Sequence, residues 1–185
     1  MPTAPRRRDP ERRRREIVDA AVAIVLEEGS GAVTHRKVAA RAEVPLGSTT
    51  QYFATLDDLR AAALDRLVRE IDVWLDALAA AFDRDGATPA TFAAQLHLYL
   101  SDTHLIEATH ALTSSHLTPD EEHAASRLWT IRFIEMLERY TSPAAARAVA
   151  AMSDGLTLHA AVLTETPDLA SLTRAVTALW NLETA

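Results

Sequence analysis

Between Leu46 and Phe53 the chain reads LGSTTQYF, and this is where hydrogen-bonding chemistry concentrates. At helical spacing Gly47, Ser48, Thr50 and Gln51 point outward, while Thr49 and Tyr52 turn inward. A glutamine amide offers a donor and an acceptor that match the N6/N7 edge of adenine, and small neighbours let a helix approach a base pair closely. Leu46, Gly47, Thr50 and Gln51 are therefore expected to meet base edges in a DNA major groove. Arg36, Lys37 and the arginine-rich start RRRDPERRRR are suited to phosphate. Other chemistries fit less well. Seven histidines suggest a metal, but the Glu107-x-x-His110 pair occurs once, and a carboxylate-bridged two-metal centre needs that pair twice plus two further glutamates. Asp120 and His123 share the spacing at the start of a capped helix. The chain has no cysteine, glycine-rich phosphate loop or G-x-S-x-G elbow, so no catalytic residue, metal or cofactor is expected.

The polar face needs a scaffold, and the residues before it supply one. Val38, Ala39, Ala42, Val44, Thr49 and Tyr52 are spaced to face inward from two short helices joined by a tight turn. Ala39 is small enough for the helices to cross, and Val44 plugs the turn. Glu43 stands where the turn needs a left-handed residue, at a cost of roughly 1 kcal/mol. Thr34 reads as the cap of the first helix, Pro45 as the start of the second and Thr55 as the cap of a third. Asp57 and Asp58 suit the positive end of that last helix.

The segments GAVTHRKVAARAEV, PLGSTTQYF and TLDDLRAAAL, in this order near the N-terminus, resemble the TetR family of bacterial transcription regulators. The likeness is specific over about residues 10–65 and architectural beyond. It implies further DNA-backbone contacts from Thr34, Ser48 and Tyr52, a small-molecule effector in the C-terminal body, and dimerisation through the last two helices. The chain departs from the family pattern at Glu43, at Thr50 and at Leu56, where relatives often carry glycine, tyrosine and lysine.

The net charge of -7 conceals an asymmetry. Residues 1–60 hold eleven Lys+Arg against nine Asp+Glu, and residues 61–185 hold eight against seventeen. A basic end on an acidic body suits a protein that presents one pole to nucleic acid. With 48% hydrophobic and 24% charged residues, 185 residues can bury a core. No apolar run reaches membrane-span length and no signal-peptide pattern opens the chain, so a cytoplasmic protein without a membrane partner is expected.

Regular punctuation divides the rest. Helix one starts at Asp9-Pro10 and stops at Gly29-Ser30-Gly31; a long helix runs from Thr55 to about Asp83. Hydroxyl-proline pairs at Thr88, Thr118, Ser142 and Thr166 open helices near 89–102, 119–140, 143–164 and 167–182, with a further helix near 105–116 between the first two. The expected fold is all-α, about nine helices. Residues 1–55 form an N-terminal arm and three-helix, helix-turn-helix domain, and residues 56–185 an effector-binding and dimerisation domain.

In that second domain, helix 119–140 is apolar around most of its girth and so central. Phe92, Leu96, Tyr99, Trp129, Phe133 and Met136 are candidate lining residues of a cavity, with Gln95, His110 and Arg132 as polar anchors. The cavity itself is implied mainly by the resemblance. Helix 143–164 offers a smooth side, Ala144, Ala148, Ala151 and Gly155, beside a seam of Val149, Met152, Leu156, His159 and Leu163. Val176, Leu179 and Trp180 of the last helix extend it. Two such hairpins would pair as a four-helix bundle about a two-fold axis. The functional expectation is a homodimeric repressor that binds a palindromic double-stranded operator and is released by a small-molecule effector. The alternatives are an effector-free regulator or activator, and a helical carrier or enzyme that no longer binds DNA.

Overall fold

A computed structural model describes residues 9–114 and 129–182. Among them the secondary structure is helical throughout. In chain order the helices are α1 (Pro10–Glu28), α2 (His35–Arg41), α3 (Leu46–Tyr52), α4 (Leu56–Asp85), α5 (Pro89–Ser101), α6 (Thr103–Ser114), α7 (described over residues 129–137), α8 (Pro143–Leu163) and α9 (Leu169–Trp180). The all-α architecture expected from the sequence is the one observed.

Caps explain most of the boundaries. The Asp9 carboxylate accepts from Arg12 N at 3.1 Å with Pro10 in the first turn, so α1 begins there. It ends at Gly29, whose φ of 84° suits a residue without Cβ. Thr55 and Asp58 exchange two 3.0 Å hydrogen bonds, Asp58 N to the Thr55 hydroxyl and Thr55 N to the Asp58 carboxylate, a reciprocal capping box on α4. Those bonds hold the Asp58 carboxyl below its ordinary range. Thr88 and Ser142 cap α5 and α8 through Thr91 N and Ala145 N, both at 3.1 Å.

One start differs from the sequence expectation. α9 opens at Leu169, not Pro167, because Asp168 accepts from Ser171 N at 2.9 Å. Thr166 and Pro167 serve a tertiary purpose instead. The Thr166 hydroxyl donates to Leu100 O at 3.0 Å, and Pro167 O lies 3.1 Å from His97 Nδ1, fastening the α8–α9 connection to α5. The Thr118 cap expected to open the central helix, the Asp120 and His123 pair and the rest of residues 115–128 lie outside the described residues.

The chain divides into two compact units, after Arg66 and within α4. The sequence suggested a boundary at residue 55, where a new helix begins. Leu59 and Ala63, in the first turns of α4, are fully buried and belong to the first unit, so a helix start and a unit boundary are separate features. In the first unit Ile17, Ala21, Ile24, Val25, Val33 and Val38 are buried at 2% exposure or less. The second unit is built on an aromatic core. Trp74 lies 4.8 Å from Tyr99 and 5.7 Å from Phe133, while Phe92 meets Phe133 at 6.3 Å and Trp180 at 5.8 Å, centroid to centroid. Such tilted, edge and offset-stacked contacts each add about 0.5–1.5 kcal/mol beyond the apolar area they bury.

Candidate nucleic-acid interface and C-terminal body

Two short helices, α2 and α3, hold the hydrogen-bonding stretch. The turn between them is tight because Val44 N reaches back to Ala39 O at 2.9 Å and Glu43 adopts φ 53°, the left-handed conformation the sequence required. Val38 and Ala39 are buried beneath it. Thr49 anchors α3 from its inner side. It is completely buried, its hydroxyl donates to Leu46 O at 2.8 Å, and its Oγ1 lies 3.3 Å from His35 Nδ1 on α2. With Thr49 pointing inward, the helical period sends Gly47, Thr50 and Gln51 outward, and Leu46, at the first position of α3, stands exposed beside them.

All four are exposed, Leu46 at 52% although it is a large apolar side chain. An added Cβ at Gly47 would meet nothing within 4 Å, so its backbone is open to an approaching surface. The Thr50 hydroxyl donates to Gly47 O at 3.2 Å, leaving its lone pairs outward as acceptors. Ser48 and Tyr52 are half-buried at the margins. Thr34 caps α2 through Lys37 N at 3.2 Å, so its hydroxyl is already an acceptor within the protein.

The cations near this face differ in how they are held. Lys37 Nζ is 2.7 Å from Glu28 Oε2, and Arg41 forms a two-pronged pair with Glu27 that holds the glutamate's carboxyl below its ordinary range. Arg12 and Arg13 both reach Glu16, at 2.8 and 3.2 Å. Arg14 sits 5.1 Å above the Phe53 ring, a cation–π contact from α1 to the end of α3. Arg36 is exposed and has no ion-pair partner among the described residues. Arg12 to Arg15 therefore belong to the first turns of α1 and not to an extended arm; Met1 to Arg8 lie outside the described residues.

In the second unit the candidate lining residues fall into three groups. Phe92, Leu96, Tyr99 and Phe133 are at most 3% exposed and pack into the core. Gln95, Trp129 and Met136 are half-buried around it, and Trp129 Nε1 is buried without a hydrogen-bond partner among the described residues. His110 and Arg132 are exposed, and Arg132 pairs with Asp72 at 3.0 Å. The structure thus places neither of these two expected anchors inside. Burial pushes the Tyr99 hydroxyl up to about 12, opposed by its hydrogen bond with Thr109.

The expected dimer residues also separate. Val149, Val176 and Trp180 are buried in the core of the protomer, with Trp180 packed on Phe82 and Phe92. Met152, Gly155, Leu156 and Leu179 are half-buried; His159 and Leu163 are exposed. The outer side of α8 carries two apolar residues absent from the expected set, Leu158 at 55% and Val162 at 65% exposed. Their i, i+4 spacing is legible in the sequence, but it shows only that they share a face and not that the face points outward.

A helical pair with a buried core-facing threonine, an open polar face and flanking cations defines the helix-turn-helix class of DNA-binding proteins. No protein-family model matches the chain. BetI of Brucella melitensis, an HTH-type transcriptional regulator, is 31% identical over 172 residues, spanning 86% of this chain and 85% of BetI. Two other curated HTH-type regulators match over 66 and 77 residues, 32% and 33% of their own lengths. Among solved structures, a TetR-family member from Streptomyces coelicolor A3 superposes with a TM-score of 0.80 at 32% identity, covering 92% of this chain and 99% of that one. The multidrug binding protein EbrR, complexed with malachite green, gives 0.78 at 31% identity and the same coverage. The chain belongs to the TetR family of DNA-binding transcriptional regulators.

Proposed function

We propose that the protein is a homodimeric repressor that reads a palindromic double-stranded operator with α3 and leaves it when a small-molecule effector binds the second unit. The observation that carries the reading is the outward row Leu46, Gly47, Thr50 and Gln51 set over a buried Thr49. In this assignment Gln51 pairs with an adenine edge and Leu46 packs on a thymine methyl. Thr34, Arg36, Lys37, Ser48 and Tyr52 hold the backbone. Dimerisation uses the outer side of α8, with Gly155, Leu158, Val162 and Leu163, because an exposed apolar row on a helix marks an interaction surface. Two copies would then address successive half-sites.

The effector reading rests on the aromatic cluster around Phe133 and on Trp129 Nε1, which a ligand carrying a hydrogen-bond acceptor would satisfy. A planar aromatic compound suits such walls, and EbrR's complexes with malachite green, proflavin and ethidium support that class. Ligand would act by favouring a dimer whose two reading helices no longer match the operator spacing. The close packing of Phe92, Leu96 and Phe133 favours a second reading, a regulator without effector.

One measurement tests the DNA reading and a second separates these two alternatives. Genome-wide capture of bound DNA supplies the operator, and a salt series then compares operator with scrambled duplex. Gln51→Ala should cost roughly 1–3 kcal/mol on the operator, relax one base pair per half-site and barely change the salt slope. Unchanged discrimination would mean that Gln51 is not a base reader. Aromatic cations and neutral aromatics are then screened for operator release; a complete lack of release favours the effector-free regulator.

A further inference from the structure

We infer that Glu28 is an internal competitor for the phosphate backbone, holding the Lys37 ammonium until DNA displaces it. The inference rests on the reading of Lys37 as a phosphate contact. Lys37 projects from the first turn of α2, a position its backbone N–H shares with the Thr34 cap. Its Nζ lies 2.7 Å from Glu28 Oε2, and Glu28 is at the last position of α1, just before the Gly29 turn. Both side chains are about half exposed, 46% and 48%, so the pair is accessible and a phosphate can reach the ammonium directly. The single positive charge of Lys37 neutralises one anion, carboxylate or phosphate, and a compact ammonium on a flexible stem moves easily between them.

The neighbouring pair behaves differently. Arg41 presents two nitrogens to both Glu27 oxygens. A fork-to-fork pair holds geometry as well as charge, so Glu27 positions α2 on α1. Glu28 makes a single contact with a flexible partner and contributes no comparable geometric restraint. Consecutive glutamates at the end of α1 are thereby assigned different tasks, one a strut and one a competitor. Arg36 has no ion-pair partner among the described residues and engages phosphate without such a contest.

Exposed ion pairs of this kind are weak, so the competition is a tuning effect. Removing the competitor in Glu28→Gln should tighten binding to operator and scrambled duplex alike by roughly two- to five-fold at low salt. Screening already weakens the pair at high salt, so the gain should fade there and the salt dependence should steepen. A glutamate near DNA could also act by simple repulsion, and its charge also attracts the Arg41 guanidinium. A double-mutant cycle with Lys37→Met separates these routes. Competition requires the Glu28→Gln gain to vanish in the Lys37→Met background, whereas repulsion or an effect through Arg41 leaves it intact.

The experiment measures operator and scrambled-duplex affinity for the wild type, both single variants and the double variant, from 50 mM to 500 mM salt. The expected result is a gain for Glu28→Gln, a loss for Lys37→Met, and a double variant equal to Lys37→Met alone. A gain that persists in the double variant overturns the competitor role while leaving Lys37 as a phosphate contact. If Lys37→Met binds as tightly as wild type, the phosphate-contact reading fails and the competitor role with it.

Discussion

Val162→Asp tests where two copies of the chain meet. Val162 is 65% exposed on the outer side of α8, one turn beyond Leu158, which is 55% exposed. Fully burying a side chain of this size contributes about 1.5–3 kcal/mol relative to leaving it in water. Two-thirds of that is available to an interface, roughly 1 kcal/mol per protomer or more. Two-fold symmetry presents the change twice, so lost apolar burial alone weakens the dimer by at least about 2 kcal/mol. Two aspartates in the same apolar contact add the cost of placing unpaired carboxylates out of water, a further few kcal/mol. The combined effect is a dimer dissociation constant raised at least about a hundred-fold. The protomer should be little affected, since substitutions at exposed positions usually change stability by about 0.5 kcal/mol or less. Sedimentation velocity across a concentration series, alongside circular dichroism, reads both quantities. Operator affinity should fall with the dimer, because each monomer engages one half-site. A variant that stays as tightly dimeric as wild type would refute the placement of the interface on this side of α8.

Trp180 should behave in the opposite way. Trp180→Ala empties a site packed between Phe82 and Phe92 and should cost about 3–5 kcal/mol in chemical denaturation; a loss of dimer affinity with unchanged protomer stability would return the residue to the interface. Tyr99 supplies a pH signature. Its folded value, pushed up to about 12 by burial, lies above the ordinary 10.0, so the folded state retains the proton longer. The stability it contributes is complete below pH 10 and is lost as pH rises towards 12, at up to about 1.4 kcal/mol per pH unit. Denaturation at stepped pH should show that decline in wild type and a shallower one in Tyr99→Phe, while tyrosinate absorbance should lose its highest-pH step; equal declines would mean that another group titrates there.

Sequence alone determined what local chemistry controls. Helix starts at Pro10, His35, Pro89 and Pro143 follow from a capping side chain and a first-turn geometry within three residues, so neighbouring letters suffice. The left-handed Glu43 and the outward row of α3 are similarly local, because the turn and the 3.6-residue period together decide which side of a short helix is inner. Periodicity could not distinguish one burying surface from another. Trp180, Val176 and Val149 read as a seam, but only the packing of α9 against α5 and α8 shows that this seam closes on the protomer's own core and leaves Leu158 and Val162 outside. The start of α9 was likewise decided at long range, when Leu100 and His97 engaged Thr166 and Pro167 and left Asp168 to cap. The pairing of Lys37 with Glu28 spans a turn between two helices, and only their crossing brings those charges together. Contacts within a few residues are written into the order of side chains; contacts between helices depend on which faces the whole fold brings together.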